Sequence, residues 1–433
     1  MENYAFFKHL CTENAYTSMT KTLNSIHCTV ETRKTIKVIT KKDIVMAHMG
    51  ELVIDKGICY ATFLQNPGND GESNKSETSK IVLSIFRVDR AMADDFDPEV
   101  DVDVYPLGGM GDTCAGHTAT YTPFKENSMC LVGDLLHICL TFLAEDKRAP
   151  ILRKTFNIRT REWVGDAETV LRYGEREMDF TTESLRVIYD DLGVKPYESG
   201  LMELVSAWNE YEGEYYATGI TCGGGCHGFI VKTRDFTTMD FVGVVPFNDN
   251  GMAEVSSYIF KNKLYVACRQ DYGIPYIYLG ALDLRTMKWD VPYKIPDGNC
   301  RPWFFEYKDE LYLLNTIAEG SRRYTNISRI RTWDHVYSFY NVHHPIEVMA
   351  TVKDCGRYFA TASHEGEIYY VASEGKMCFG KLCLDFLDED EVNQKLYALF
   401  WQSEMKEGAK DDFRPPLWEG MPTVFRGKNS TET

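Results

Sequence analysis

The sequence predicts an all-β protein, a β-propeller of six four-stranded antiparallel blades around a central channel. Three observations carry this. Aromatic residues make up 13% of the 433 residues against a hydrophobic share of 44%, the balance of half-buried strands rather than of a helix bundle. A hairpin signature recurs six times, in which a Gly, Asn or Asp turn residue is followed three positions later by an aromatic inside the next strand. A second turn recurs downstream of several hairpins, Asn157 to Trp163 matching Asp283 to Trp289 in spacing, with Arg331-Thr332-Trp333 as a shortened relative.

Residues 1–45 form an N-terminal segment whose stretch HCTVETRKTIKVIT alternates like one or two strands, and it is the candidate for completing the last blade. Residues 46–385 carry the repeat, at Gly57/Tyr60, Asp134/His137, Gly213/Tyr216, Asn262/Tyr265, Asp309/Tyr312 and Gly366/Tyr369. Successive repeat residues lie 47 to 79 positions apart, the length of three or four strands with their turns. A single such sheet cannot bury both faces, whereas a closed ring buries each sheet against its neighbours. Two separate β-sandwiches are the alternative, and a repeat running along the whole chain weighs against them. Residues 66–80 read as a polar loop, and 164–199 hold either a short helix or a seventh blade. Residues 386–433 read as an acidic, helix-like segment followed by a disordered tail.

The net charge of -17 and pI near 5.1 argue against nucleic acid as a partner, which needs a basic stripe. The N-terminus lacks the cationic and apolar regions of a secretion signal, and no run reaches the ~18 apolar residues of a membrane-spanning helix. Thirteen cysteines, an odd number scattered through strands, point to free thiols in a reducing compartment, hence the cytoplasm.

In a propeller the innermost strands run along the channel, so residues at their leading ends gather at one mouth. Counting back 11 positions from the repeat aromatics reaches Glu254, Arg301 and Tyr358; His48 lies 12 back, Glu203 13 back and His117 20 back. His48, His117, Glu254 and Tyr216 are the candidate proton carriers, the imidazoles because they titrate near neutral pH. Tyr216 is also a repeat aromatic and as such a core residue. Arg269, brought back beside Glu254 by antiparallel pairing, and Arg301 are candidates to fork a substrate carboxylate. A structural ion pair between Glu254 and Arg269 is the plainer alternative. Glu203, Tyr358 and His137 complete the candidate binding set. No cofactor is required. Cys222, Cys226 and His227, around a triple glycine, are candidate zinc ligands, although their spacing matches no common zinc pattern. A phosphate-binding loop is excluded by the missing Gly-Lys-Ser/Thr ending.

With these residues in place, the chain resembles the sialidase-like propeller enzymes that act on glycans. In that class a glutamate at the start of an inner strand precedes a carboxylate-binding arginine by a similar spacing, as Glu254 precedes Arg269, and Arg301 resembles a second such arginine. Sialidases carry an arginine near the start of the first blade, where this chain has His48. Their Ser-x-Asp-x-Gly-x-Thr-Trp turns have their nearest relative here in Thr233 to Thr237. The histidine is similar to that of propeller α-L-rhamnosidases acting on rhamnosyl-glucuronate. The His, Tyr and Arg combination is similar to that of propeller polysaccharide lyases. The resemblance implies a glycoside hydrolase acting at or next to an acidic sugar of an oligosaccharide. The alternatives are a lyase on a uronate linkage, with His117 and Tyr216 moving protons, and a non-catalytic scaffold or lectin.

Overall fold

The computed structural model describes residues 36–68, 77–120, 127–141, 149–194, 201–204, 206–222, 227–246, 252–270, 276–290, 293–296, 300–316, 324–330, 346–353, 356–382 and 384. The start of the N-terminal segment, the shortened turn at Arg331 and everything assigned to 386–433 lie outside these residues.

Short hairpin connections generate small antiparallel sheets. The first sheet runs Met46–Asp55, Ile58–Asn66, Lys80–Arg87, Asp103–Gly109, and the second Asn127–Val132, Leu135–Thr141, Ile151–Asn157, Glu162–Glu168. In the fourth, Met252–Phe260, Lys263–Gln270 and Tyr276–Asp283 are followed by Lys288–Trp289 and Tyr293–Pro296, which both pair with Tyr276–Asp283. The fifth comprises Trp303–Tyr307, Glu310–Thr316, Tyr324–Ile330 and Ile346–Lys353. The sixth, Arg357–His364, Glu367–Glu374 and Lys376–Lys381, takes Lys37–Val38 as its outermost strand.

The third sheet departs from this form. Leu201–Leu204 and Asn209–Tyr211 pair with Glu214–Cys222, which leads to Gly228–Thr233 and Thr238–Val244. Two upstream strands, Val170–Tyr173 and Arg176–Asp179, extend its outer edge, and Val170–Tyr173 runs parallel to Thr238–Val244. Residues 164–199 therefore supply an edge to this sheet, followed by a helix, Thr182–Asp191, capped by the Thr181 side chain. Five sheets are regular blades, whereas the sequence predicts six or seven; the seven-stranded third sheet is what breaks the count. Four of the five have four strands, and the fourth sheet divides its outer position between two strands.

The sheets form a propeller because each leading strand packs beside the next. Met46–Asp55 contacts Asn127–Val132, which contacts Leu201–Leu204; Asn209–Tyr211 contacts Met252–Phe260, which contacts Trp303–Tyr307; and Arg357–His364 touches both Trp303–Tyr307 and Met46–Asp55, returning to the start. Polar bonds cross these seams: Thr62 Oγ1 donates to Asn127 Oδ1 at 2.6 Å, Ser128 Oγ to the Ser206 carbonyl at 2.6 Å, Tyr258 Oη to Glu306 Oε2 at 3.3 Å and Trp303 Nε1 to Thr361 Oγ1 at 3.1 Å.

The repeat residues explain the seams as well. Tyr60 packs with Leu136 and Ile138 of the second sheet, Tyr216 with Leu264 and Val266 of the fourth, and Tyr265 with Phe304 and Leu311 of the fifth. Each is a residue facing the following sheet, worth about 1.5–3 kcal/mol when fully buried. The preceding turns hold both central residues at positive φ, as in Lys56-Gly57, Glu212-Gly213, Lys261-Asn262, Lys308-Asp309 and Glu365-Gly366. This is the two-residue turn whose twist matches that of the flanking strands, and it needs Gly, Asn or Asp at its second position. In the second recurring turn, Asn157 Oδ1 accepts from the amides of Arg159 and Thr160, Asp283 Oδ1 accepts from those of Arg285 and Thr286, and Arg161 and Met287 take the left-handed backbone.

Candidate functional site

Glu254 and Arg269 meet as their register implies. In the fourth sheet Ala253 pairs with Arg269 and Val255 with Cys268, so Glu254 is the extra residue of a β-bulge, at φ +51°. The bulge turns its side chain to Arg269, whose Nη1 lies 2.8 Å from Glu254 Oε1, with the side chains 14% and 11% exposed. Glu254 Oε2 is buried with no hydrogen-bond partner among the described residues. A carboxylate so placed keeps one oxygen unsatisfied, which costs free energy unless something occupies that position.

Two other leading strands carry the same device. The first bulges between His48 and Glu51, with Met49 at φ +52°, and the sixth between Arg357 and Ala360, with Tyr358 at φ +57°. Met49, Glu254 and Tyr358 each lie 11 residues before their repeat tyrosine. Left-handed backbone in residues other than glycine is costly and concentrates at functional sites.

His48 and Tyr358 come together across the seam between the sixth and first sheets. Their rings sit edge to face at 4.3 Å, and His48 Nδ1 is 3.1 Å from Ser373 Oγ. Both are buried, His48 at 5% exposure and Tyr358 at 5%. Glu203 lies on the leading strand of the third sheet, opposite Ile220, and is buried.

Four of the sequence assignments need correction. Arg301 does not face a substrate. It is fully buried, its Nη1 3.0 Å from Glu51 Oε1, its Nη2 donating to the carbonyls of Gly50 at 2.7 Å and Phe359 at 3.1 Å, its guanidinium 4.7 Å above Trp303. A fully buried guanidinium whose Nη atoms are committed to a carboxylate and two carbonyls presents no fork to a ligand at the surface, although its Nε has no hydrogen-bond partner among the described residues.

His117 is on no leading strand. It belongs to the two-stranded hairpin Thr113–Cys114 with His117–Thr118, and its Nε2 lies 2.7 Å from Glu168 Oε1. Glu168 ends the outermost strand of the second sheet, three strands from Asn127 and so about 14 Å outward. The irregular excursion after Gly109 separates it from the repeat.

His137 and Tyr216 sit beside the hairpin turns at the opposite end of their strands from the mouth. His137 pairs with Cys130, stacks on Phe236 at 4.5 Å and has Thr155 Oγ1 3.3 Å from its Nδ1. Burial, aided by Arg153, lowers its pKa to about 4, so it is neutral at pH 7. Tyr216 packs in the seam with the fourth sheet, and burial beside Glu214 raises its phenol to about 12. Both occupy the repeat position, and seam packing accounts for them.

Of the zinc candidates, Cys226 and the Cys222 side chain lie outside the described residues, and His227 is buried edge-on to Tyr189 at 5.4 Å. No group of three or more potential metal ligands occurs among the described residues.

Sequence reasoning missed Met49, Glu51 and Ser373. The signal for Met49 was available, since it and not His48 lies 11 before Tyr60. Nothing in the spacing announces Ser373, 325 residues from its partner His48. The turn Thr233 to Thr237 is as compact as its likeness suggests: Asp235 Oδ1 accepts from the amides of Thr237 and Thr238, both at 2.8 Å.

The fold is that of the sialidase-like β-propellers. Trypanosoma rangeli sialidase in complex with sialic acid superposes with a TM-score of 0.51 at 10% identity, over 80% of this chain and 55% of that one. A Hadza microbial sialidase gives 0.53 at 9% identity over 78% of this chain and 66% of that one. A protein of unknown function from Dyadobacter fermentans gives 0.53 at 10% identity, over 80% of this chain and 97% of that one. The chain thus spans little more than half of the trypanosomal sialidase, and at these identities the likeness is one of fold. No protein-family model and no curated protein sequence matches the chain.

Proposed function

We propose that the protein is a glycoside hydrolase acting at or next to an acidic sugar of an oligosaccharide. The observation that carries this is the Glu254–Arg269 pair, nearly buried, with one carboxylate oxygen unpartnered among the described residues and the glutamate on a left-handed bulge. A substrate carboxylate taking the Arg269 guanidinium releases Glu254 from its partner. Glu254 then serves as acid or base at the glycosidic oxygen. The sialidase fold of the neighbours supports the same reading. The lyase alternative is weaker, because the two residues it needs, His117 and Tyr216, are an outer-edge residue and a seam residue.

A panel of aryl glycosides carrying sialate, glucuronate, galacturonate and rhamnosyl-glucuronate tests this. Release of the aryl group by the parent and not by Glu254→Gln is the expected result. Binding of these sugars without release would leave a lectin, and an ultraviolet-absorbing unsaturated product would establish the lyase.

A reducing, cytoplasmic location is supported by Cys59, Cys114, Cys130, Cys139 and Cys268, which stand as free thiols. A thiol titration of the unfolded, unreduced protein is expected to find all 13. No helix among the described residues is long and apolar enough to cross a membrane.

A further inference from the structure

Arg301 is the largest fully buried side chain among the described residues, and it touches no group of the proposed chemistry. What it touches are two backbone bulges. Its Nη2 donates to the carbonyl of Gly50, which follows left-handed Met49, and to that of Phe359, which follows left-handed Tyr358. The residue flanking the first bulge is His48, and the residue at the second is Tyr358, the two rings that meet at 4.3 Å. Met49, Tyr358 and Cys300, the residue before Arg301, pack as one apolar cluster. Gly50 leaves no slack, because a Cβ there would lie 3.0 Å from Val371 of the sixth sheet.

We propose that Arg301 is a positioning residue, a buried fork from the fifth sheet that holds the bulges of the first and sixth in register and thereby fixes His48 against Tyr358. Each bulge is a backbone conformation that its residue adopts reluctantly. Held separately, each would relax toward extended backbone and carry its side chain away. Glu51 neutralises the guanidinium, while Nε stays buried with no hydrogen-bond partner among the described residues, so the fork is held through its two Nη atoms. Charge alone is insufficient for this task. Two carbonyls and a carboxylate in different directions require the planar fork, which a lysine ammonium does not reproduce.

The proposal rests on the mouth being the catalytic site only where turnover is concerned, so its first readout is independent of activity. In protein labelled with 13C at histidine, the His48 resonance, assigned by comparison with His48→Gln, is followed against pH in the parent, Arg301→Lys and Arg301→Met. Both variants are expected to broaden or shift the His48 signal and its titration while the His137 and His227 signals stay in place. If the hydrolase reading holds, kcat falls at least about tenfold with KM changing far less, as expected for misplaced groups. A His48 titration superimposable on the parent in either folded variant would overturn the proposal, whatever the activity. Failure of both variants to fold would reduce Arg301 to a stability element and would overturn it equally. Absence of activity in the parent with a perturbed His48 in the variants would remove the hydrolase reading and leave the clamp standing.

Discussion

Arg269 and Glu254 form their 2.8 Å ion pair although neither is the other's strand partner, since the bulge removes Glu254 from the ladder and Arg269 pairs with Ala253. Glu254 is therefore the residue that can change partners without breaking the sheet. Glu254→Gln is expected to keep the secondary structure and lower kcat/KM by about 10²–10⁴, the range for loss of a proton-transferring group. Arg269→Lys is expected to act mainly on KM for substrates bearing a carboxylate and little on their neutral analogues. Steady-state kinetics on matched acidic and neutral glycosides, with circular dichroism as the control, measure both.

The hairpin turns make a cleaner stability prediction. Gly366 has φ +78° with open space where a Cβ would lie, so Gly366→Ala costs backbone strain alone, about 1–2 kcal/mol. Gly243 is equally open but outside the left-handed region, so Gly243→Ala is expected to be neutral or slightly stabilising. Chemical denaturation of the two variants compares them directly.

His137 gives the fold a pH dependence on the acid side. Its folded pKa, about 4, lies below its ordinary 6.5, so the unfolded chain binds its proton first. The contribution to stability is intact above pH 6.5, declines as pH falls from there toward 4 and is constant below. Between pH 6.5 and 5 the parent is expected to lose about 1–2 kcal/mol more than His137→Gln. Urea titrations at the two pH values would show parallel losses if the imidazole were not held neutral against Phe236.

Thiol reactivity reports on the core. Cys59, Cys139 and Cys268 are fully buried; burial raises the Cys139 thiol to about 12 and pushes the other two up as well. Iodoacetamide at pH 8 is expected to leave all three unmodified in the native protein and to alkylate them once it is unfolded. Modification of any of them within minutes under native conditions would contradict the packing described.

The propeller was legible because its repeat is written in turn chemistry. Gly57, Gly213, Asn262, Asp309 and Gly366 mark turns that tolerate few residues, and the aromatic three positions on marks a seam. The same register located Glu254 and Tyr358, because a bulge conserves its distance from the turn. Arg301 misled because a guanidinium held by carbonyls and one meant for a substrate are the same letter in the sequence. His117 misled because it belongs to a two-stranded hairpin outside the repeat rather than to a leading strand, and the third sheet because strands that join a sheet out of chain order leave no periodic trace. His137 and Tyr216 were plausible chemically, and only their pairing places them far from the mouth.

The contacts that shut the ring, Lys37 with Phe379 and His48 with Ser373, join residues more than 300 positions apart. During synthesis the first sheet must wait, with its seam to the sixth bare, until nearly the whole propeller has left the ribosome. A chain stopped short of Ser373 therefore keeps an apolar flank, including Phe63 and Phe86, open to proteases and chaperones. Ring closure thus makes survival in the cell a test of whether translation reached its final sheet.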